Sequence, residues 1–274
     1  MSSRIKRRVR NGCLLALALV ALWLWVRSRE EELGTSAFET GYVLLATIVF
    51  LAAYNVRKKL PSLPLGSSAA WLQWHLYVGV GTAGVFALHA RTAWPSGYLE
   101  TCLAGVYILT VGSGLLGLYL TRTIPVQLAR VSDEMIYERI PAFRRQVRQQ
   151  ADELVLETVT ASGATTLADY YSARLYSYFA RSRGWLYFVR PTSALRRSLM
   201  REMQDLRRYL CDAEQVGCER LFALVRRKDD LDFHDARQKT LKLWLFAHIG
   251  LTYALLLLAI LHGVLAHAFR GGSL

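Results

Sequence analysis

The stretch Leu243–Phe269, LWLFAHIGLTYALLLLAILHGVLAHAF, is apolar, long enough to cross a bilayer as a helix, and carries three histidines. Two of them, His248 and His262, stand fourteen residues apart, and an earlier apolar run, Ala70–Ala90, carries His75 and His89 at the same separation. Fourteen helical residues rise about 21 Å and return to within about 40° of the starting face. Each helix therefore presents one imidazole near each membrane surface, on one side. Counted from Ala70 and Leu243, His75 and His248 lie about 8 Å deep and His89 and His262 about 29 Å deep, so the four form two matched levels. His267 falls about 7 Å beyond the level of His89 and is turned roughly 140° from the face of His262, which makes it the poorer partner.

An ionisable side chain inside a span is costly, and it either marks function or hydrogen-bonds a neighbouring helix. Two imidazoles facing each other across a bundle suit bis-axial ligation of a low-spin haem iron, and two levels imply two haems. In His75, His89, His248 and His262 and their helices, the chain resembles the transmembrane di-haem cores of b-type cytochromes and of ferric-reductase or NADPH-oxidase membrane domains. The resemblance implies an all-α membrane protein in which His75 pairs with His248 and His89 with His262 around two haem b groups. It also implies a fused flavin-nicotinamide domain, yet the insert at 122–242 has no GxGxxG, no P-loop and no recognisable nicotinamide or flavin fingerprint. The expectation is a transmembrane electron-transfer subunit of a redox complex, with donor and acceptor supplied by other components and a quinone as a further candidate. The competing reading is a transporter or scaffold with structural histidines; against a transporter, the spans show no obvious inverted repeat.

Composition supports the membrane assignment. Of 274 residues 53% are hydrophobic, and the mean hydropathy is +0.21. The formal charge of +13 and pI near 9.9 do not point to nucleic acid, because Lys and Arg gather on the cytoplasmic flanks of membrane spans. The four cysteines, Cys13, Cys102, Cys211 and Cys218, form neither CxxC nor the CxxCH of covalent haem attachment. Any haem is therefore non-covalent, and the cysteines read as reduced thiols.

Along the chain, five spans are expected, near residues 12–26, 41–56, 70–90, 99–121 and 243–269. The first follows the basic MSSRIKRRVR and reads as an uncleaved signal anchor; a secretory signal peptide is the alternative, although no A-x-A-like cleavage site follows. The acidic REEELGTSAFET then lies outside, the basic VRKKLPSLPLGSS inside, RTAWPSGY outside and RGGSL outside. This gives a plasma (inner) membrane protein with its N-terminus in the cytoplasm and its C-terminus external. Residues 1–121 carry four spans, 122–242 form a mostly helical cytoplasmic insert, and the span at 243–269 completes the bundle. Because spans three and five both run outward, they are parallel, in agreement with the pairing by depth. Gly79, Gly81 and Gly84 in span three, and Gly112, Gly114 and Gly117 in span four, allow close approach of either a porphyrin or another helix.

In the insert, 22 Lys+Arg stand against 16 Asp+Glu. Pro141 opens one helical stretch, Thr192 or Ser193 is placed to cap ALRRSLMREMQDLRRYL, and Leu167–Ala180 is a third helix. LVLETVT and WLYFVR also satisfy a strand pattern. The charged helical face is a candidate dock for an acidic redox partner protein, with the outer surface as the other docking candidate. For the haem propionates, Arg91 is the outer cation and Lys242 and Arg122 are inner candidates, with headgroup snorkelling as the alternative role for all three. His234, in DDLDFHDARQK, reads mainly as part of a helix-start cluster and alternatively as a proton acceptor from a quinol.

Overall fold

The structure is a computed structural model. It describes residues 3–31, 36–59, 66–91, 95, 97–131 and 135–269; the RGGSL tail and parts of the three expected inter-span loops lie outside the described residues. Every element among the described residues is helical. The chain divides into two compact units, one formed by Met1–Gly117 with Leu245–Leu274 and the other by Leu118–Trp244, close to the insert read from charge.

The first unit contains α1 (Ser3–Glu31), α2 (Ala37–Lys59), α3 (Ser68–His89), the first part of α4 (Tyr98–Ala129) and the last part of α10 (Asp212–Ala268). Ser67 caps α3, its hydroxyl accepting from the Ala70 amide. Four helices, α1, α2, α4 and α10, are long and apolar enough to cross a membrane. Helix α3 is 22 residues long but is not among them, because Gln73, His75 and the tryptophans Trp71 and Trp74 lower the hydropathy of its first half. Large apolar side chains point outward on the bundle, among them Leu17, Leu109, Leu116, Leu257 and Val264. An outward apolar surface is what lipid, rather than water, accommodates, and the chain has the make-up of a multi-pass membrane protein.

Inside the bundle, Leu44, Ile48, Val85, Tyr107 and Leu255 form one buried cluster. Phe86 stacks on Tyr107 with ring centres 4.3 Å apart, and the Tyr107 hydroxyl donates to Thr82. Glycines bring α1 onto α3: a Cβ on Gly81 would meet Leu15 at 2.8 Å, and one on Gly84 would meet Leu19 at 3.0 Å. At these two glycines the close approach is that of a neighbouring helix.

The second unit is built from α5 (Ile140–Ser162), the short helices α6 (Thr166–Tyr170) and α7 (Tyr176–Ala180) joined by a π-turn at Tyr171–Leu175, α8 (Trp185–Val189), α9 (Ala194–Leu206) and residues 212–244 of α10. Pro141 sits in the first turn of α5, and Gly163, at φ 70°, ends it in the left-handed conformation. The strand pattern of LVLETVT gives way to helix, since Leu154, Val155 and Thr158 lie on the buried face of α5 together with Val147 and Ala151. WLYFVR likewise forms the short α8. Ser193 stands at the start of α9, but its hydroxyl accepts from Arg197 and caps no backbone amide.

Two elements run further than charge patterning implies. Helix α4 continues past Arg122 to Ala129 with Pro125 inside it. Helix α10 begins at Asp212, so DDLDFHDARQK is helix interior rather than a helix start. The ion pairs Lys228–Asp232 and Lys239–Asp235, each four residues apart, stabilise a polar helix there without an apolar stripe all round.

Candidate functional site

The first unit brings the four expected histidines together in the expected pairs. The ring centres of His75 and His248 are 6.3 Å apart with the planes at 77°, and those of His89 and His262 are 6.3 Å apart with the planes at 86°. Since both partners increase in number together, α3 and the last part of α10 run parallel. Thr82 and Leu255, each seven residues from both histidines of its own helix, are buried between the two levels.

A metal held at about 2.0 Å from one nitrogen of each ring, with that nitrogen roughly 1.1 Å from its ring centre, separates two ring centres by about 6.2 Å. Both pairs match this spacing. Among the described residues no group of three or more His, Cys, Asp or Glu side chains is gathered as a metal site. Each level thus offers two imidazoles, the number required by an iron that already has four porphyrin nitrogens.

Around the His89–His262 pair lies an apolar cleft of about 220 Å³. Its walls include Phe38, Leu44, Ile48, Phe86, Tyr107 and Leu255, with His89 and His262 on its lining. Aromatic and aliphatic walls with two convergent imidazoles fit a flat, mostly apolar macrocycle. Gly41 contributes through its missing side chain, because a Cβ there would stand 3.0 Å from the His89 ring. Gly114 does the same less tightly for His248, at 3.5 Å.

Each histidine is backed by a neighbouring helix. Nδ1 of His89 is 3.2 Å from the Thr40 hydroxyl, and the His75 ring lies 5.2 Å from that of Tyr54, both on α2. Nδ1 of His248 is 2.7 Å from the Ser113 hydroxyl, and Nδ1 of His262 is 3.7 Å from the Glu100 carboxylate, both on α4. Sequence reading missed this backing layer. The only signal for it is the spacing: Thr40 and Tyr54 are fourteen residues apart, and Glu100 and Ser113 thirteen, which echoes the histidines themselves.

His267 is engaged differently. Its Nδ1–H donates to the Gly263 carbonyl at 2.8 Å, so Nε2 accepts from the Tyr42 hydroxyl at 2.7 Å, and Phe38 packs edge-on against it. Arg91 is exposed just beyond α3 with φ 49°, in the left-handed region. In the second unit, Arg122 is exposed on α4, and the Lys242 ammonium sits 2.9 Å from Glu138 and over the Tyr137 ring, so a carboxylate already holds that cation.

The remaining polar candidates are structural. His234 is 1% exposed, and burial lowers its pKa from 6.5, which favours a neutral side chain and not a proton acceptor at a surface. Its neighbours Asp229, Asp232 and Asp235 are tied to Arg144, Arg183, Arg196, Lys228 and Lys239 in one ion network. Cys218 is buried with its thiol pushed up to about 11, and all four cysteines are free. Comparison with protein-family models, curated proteins and solved structures gives no match to this chain.

Proposed function

We propose that the chain is a transmembrane electron-transfer subunit holding two non-covalent b-type haems, one between His75 and His248 and one between His89 and His262. The observation that carries this reading is the equal 6.3 Å spacing of two histidine pairs at two levels of one bundle. Bound haem iron supplies one-electron redox chemistry between the two surfaces. The residues do the rest. The imidazoles attach the group, the Phe86, Tyr107 and Leu44 walls exclude water, and burial sets the potential. Arg91 is the outer candidate for a propionate partner.

In this reading α3 also crosses the membrane, as span three, and brings the spans to five, with its polar first half carrying the inner histidine. Basic residues at Arg122, Arg237, Lys239 and Lys242 favour the second unit on the cytoplasmic side of a plasma membrane, with the C-terminus outside. The basic helical surface of that unit is where an acidic redox partner docks. A second reading has one observation in its favour. The bonds of His89 to Thr40 and of His248 to Ser113 are also what structural histidines make when they join helices of a non-redox membrane protein.

The discriminating experiment is a pigment assay on protein expressed with adequate haem supply. The expected result is about two haems per chain, removable by acid–acetone because no CxxCH is present. Colourless protein would favour structural histidines.

A further inference from the structure

The backing hydroxyls carry information about protons. Thr40 has one hydroxyl hydrogen, and its oxygen lies 2.9 Å from the Ser36 carbonyl and 3.1 Å from the Ala37 carbonyl of its own helix. A carbonyl oxygen only accepts, so the hydroxyl hydrogen goes to this pair of carbonyls. Toward His89, 3.2 Å away, the Thr40 oxygen is then left to accept, and Nδ1 of His89 must carry the proton. The same holds at the other level: Ser113 donates to the Thr110 carbonyl at 2.7 Å and accepts from Nδ1 of His248 at 2.7 Å. The opposite tautomer would set hydroxyl and carbonyl lone pairs against each other at both sites.

We infer that Thr40 and Ser113 are positioning residues, one for each histidine pair, that fix His89 and His248 in the Nδ1–H tautomer and so place the basic lone pair on Nε2 as the ligating atom. This rests on the haem reading for what Nε2 binds, but the tautomer itself follows from the hydrogen bonds. His267 has the same tautomer by the same reasoning, yet its Nε2 accepts from Tyr42, which separates it from the two ligand candidates. The arrangement gives each level one histidine held by a neutral hydroxyl. At the outer level its partner His262 faces the Glu100 carboxylate, and at the inner level its partner His75 faces the Tyr54 ring. Donation from Nδ1 makes the imidazole a stronger donor to iron through Nε2, which favours the ferric form.

The test uses the full chain as purified. Thr40→Val removes the hydroxyl and keeps the shape, and Thr40→Ser keeps the hydroxyl. Thr40→Val should weaken haem binding at the outer level by about ten- to a hundred-fold and raise that haem's midpoint potential, with the inner haem unchanged and Thr40→Ser restoring both. Ser113→Ala and Ser113→Thr should do the same at the inner level. Nitrogen-15 imidazole NMR of the reduced wild-type protein reads the tautomer without any variant, and should find the proton on Nδ1 of His89 and His248. An Nε2–H signal at either residue, or a folded Thr40→Val protein with both haems at wild-type affinity and potential, overturns the positioning role. A wild-type protein without haem that still shows Nδ1–H signals overturns the haem reading and leaves the tautomer assignment standing.

Discussion

At Gly41 a single added carbon reaches the candidate site, because its Cβ would lie 3.0 Å from Cε1 of His89. A larger group cannot be absorbed by the flexible end of a side chain, since a ring held by Thr40 has little room to retreat. Gly41→Leu is expected to displace His89 and lower haem occupancy at the outer level by about ten-fold or more, a loss like that of a backing residue, while the inner level keeps its spectrum. Gly112→Ala, where a Cβ has nothing within 4 Å, should leave both unchanged. Haem-to-protein ratios of the two variants check this. The histidine pairs were legible in the sequence because helical rise and rotation turn equal spacings into equal depths. Thr40, Ser113 and Glu100 were not legible, since a hydroxyl inside a span ordinarily bonds its own helix and only tertiary packing shows which imidazole it also meets.

Among the elements, α10 departs most from its reading in the sequence. DDLDFHDARQK reads in the sequence as a helix start beside the cytoplasmic flank, yet it lies inside one continuous helix, its residues paired with Lys228, Arg144 and Arg183. Asp232 is the hub, with a fully buried carboxylate in contact with Lys228, Arg144 and Arg183. Asp232→Ala leaves these cations without their shared partner and should destabilise the second unit by about 3–5 kcal/mol, read as a lowered Tm of the purified protein. His234, on the same stretch, predicts a pH dependence. Its native pKa lies below the ordinary 6.5, so the unfolded chain binds a proton that the native chain refuses once pH falls below about 6.5. Stability should therefore fall as pH drops from 6.5 towards the native pKa, and His234→Gln should remove that component in denaturant titrations repeated across this range. The helices of the insert were legible from Pro141 and apolar periodicity. The continuity of α4 and α10 was not, because hydropathy reports where lipid ends and says nothing of where a helix ends.

For the whole molecule, the parallel course of α3 and the last part of α10 requires an odd number of membrane crossings between them, which α4 supplies if the second unit stays on one side. On the proposed topology basic flanks favour the cytoplasm for that side, so a reporter inserted near Ser162 should read internal and one fused after Leu274 external. The reverse at both positions would invert the protein in the membrane. Whichever side is inner, the proposed two-haem reading puts the groups about 21 Å apart along α3 and expects two spectroscopically separable centres. The most direct measurement is a redox titration of the reduced-minus-oxidised haem spectrum in single alanine variants of His75, His89, His248, His262 and His267. His75→Ala and His248→Ala should remove or shift one and the same component, His89→Ala and His262→Ala the other, and His267→Ala neither. If His75→Ala and His248→Ala perturb different components, or if His267→Ala removes the outer haem while His262→Ala keeps it, the paired two-level site is contradicted.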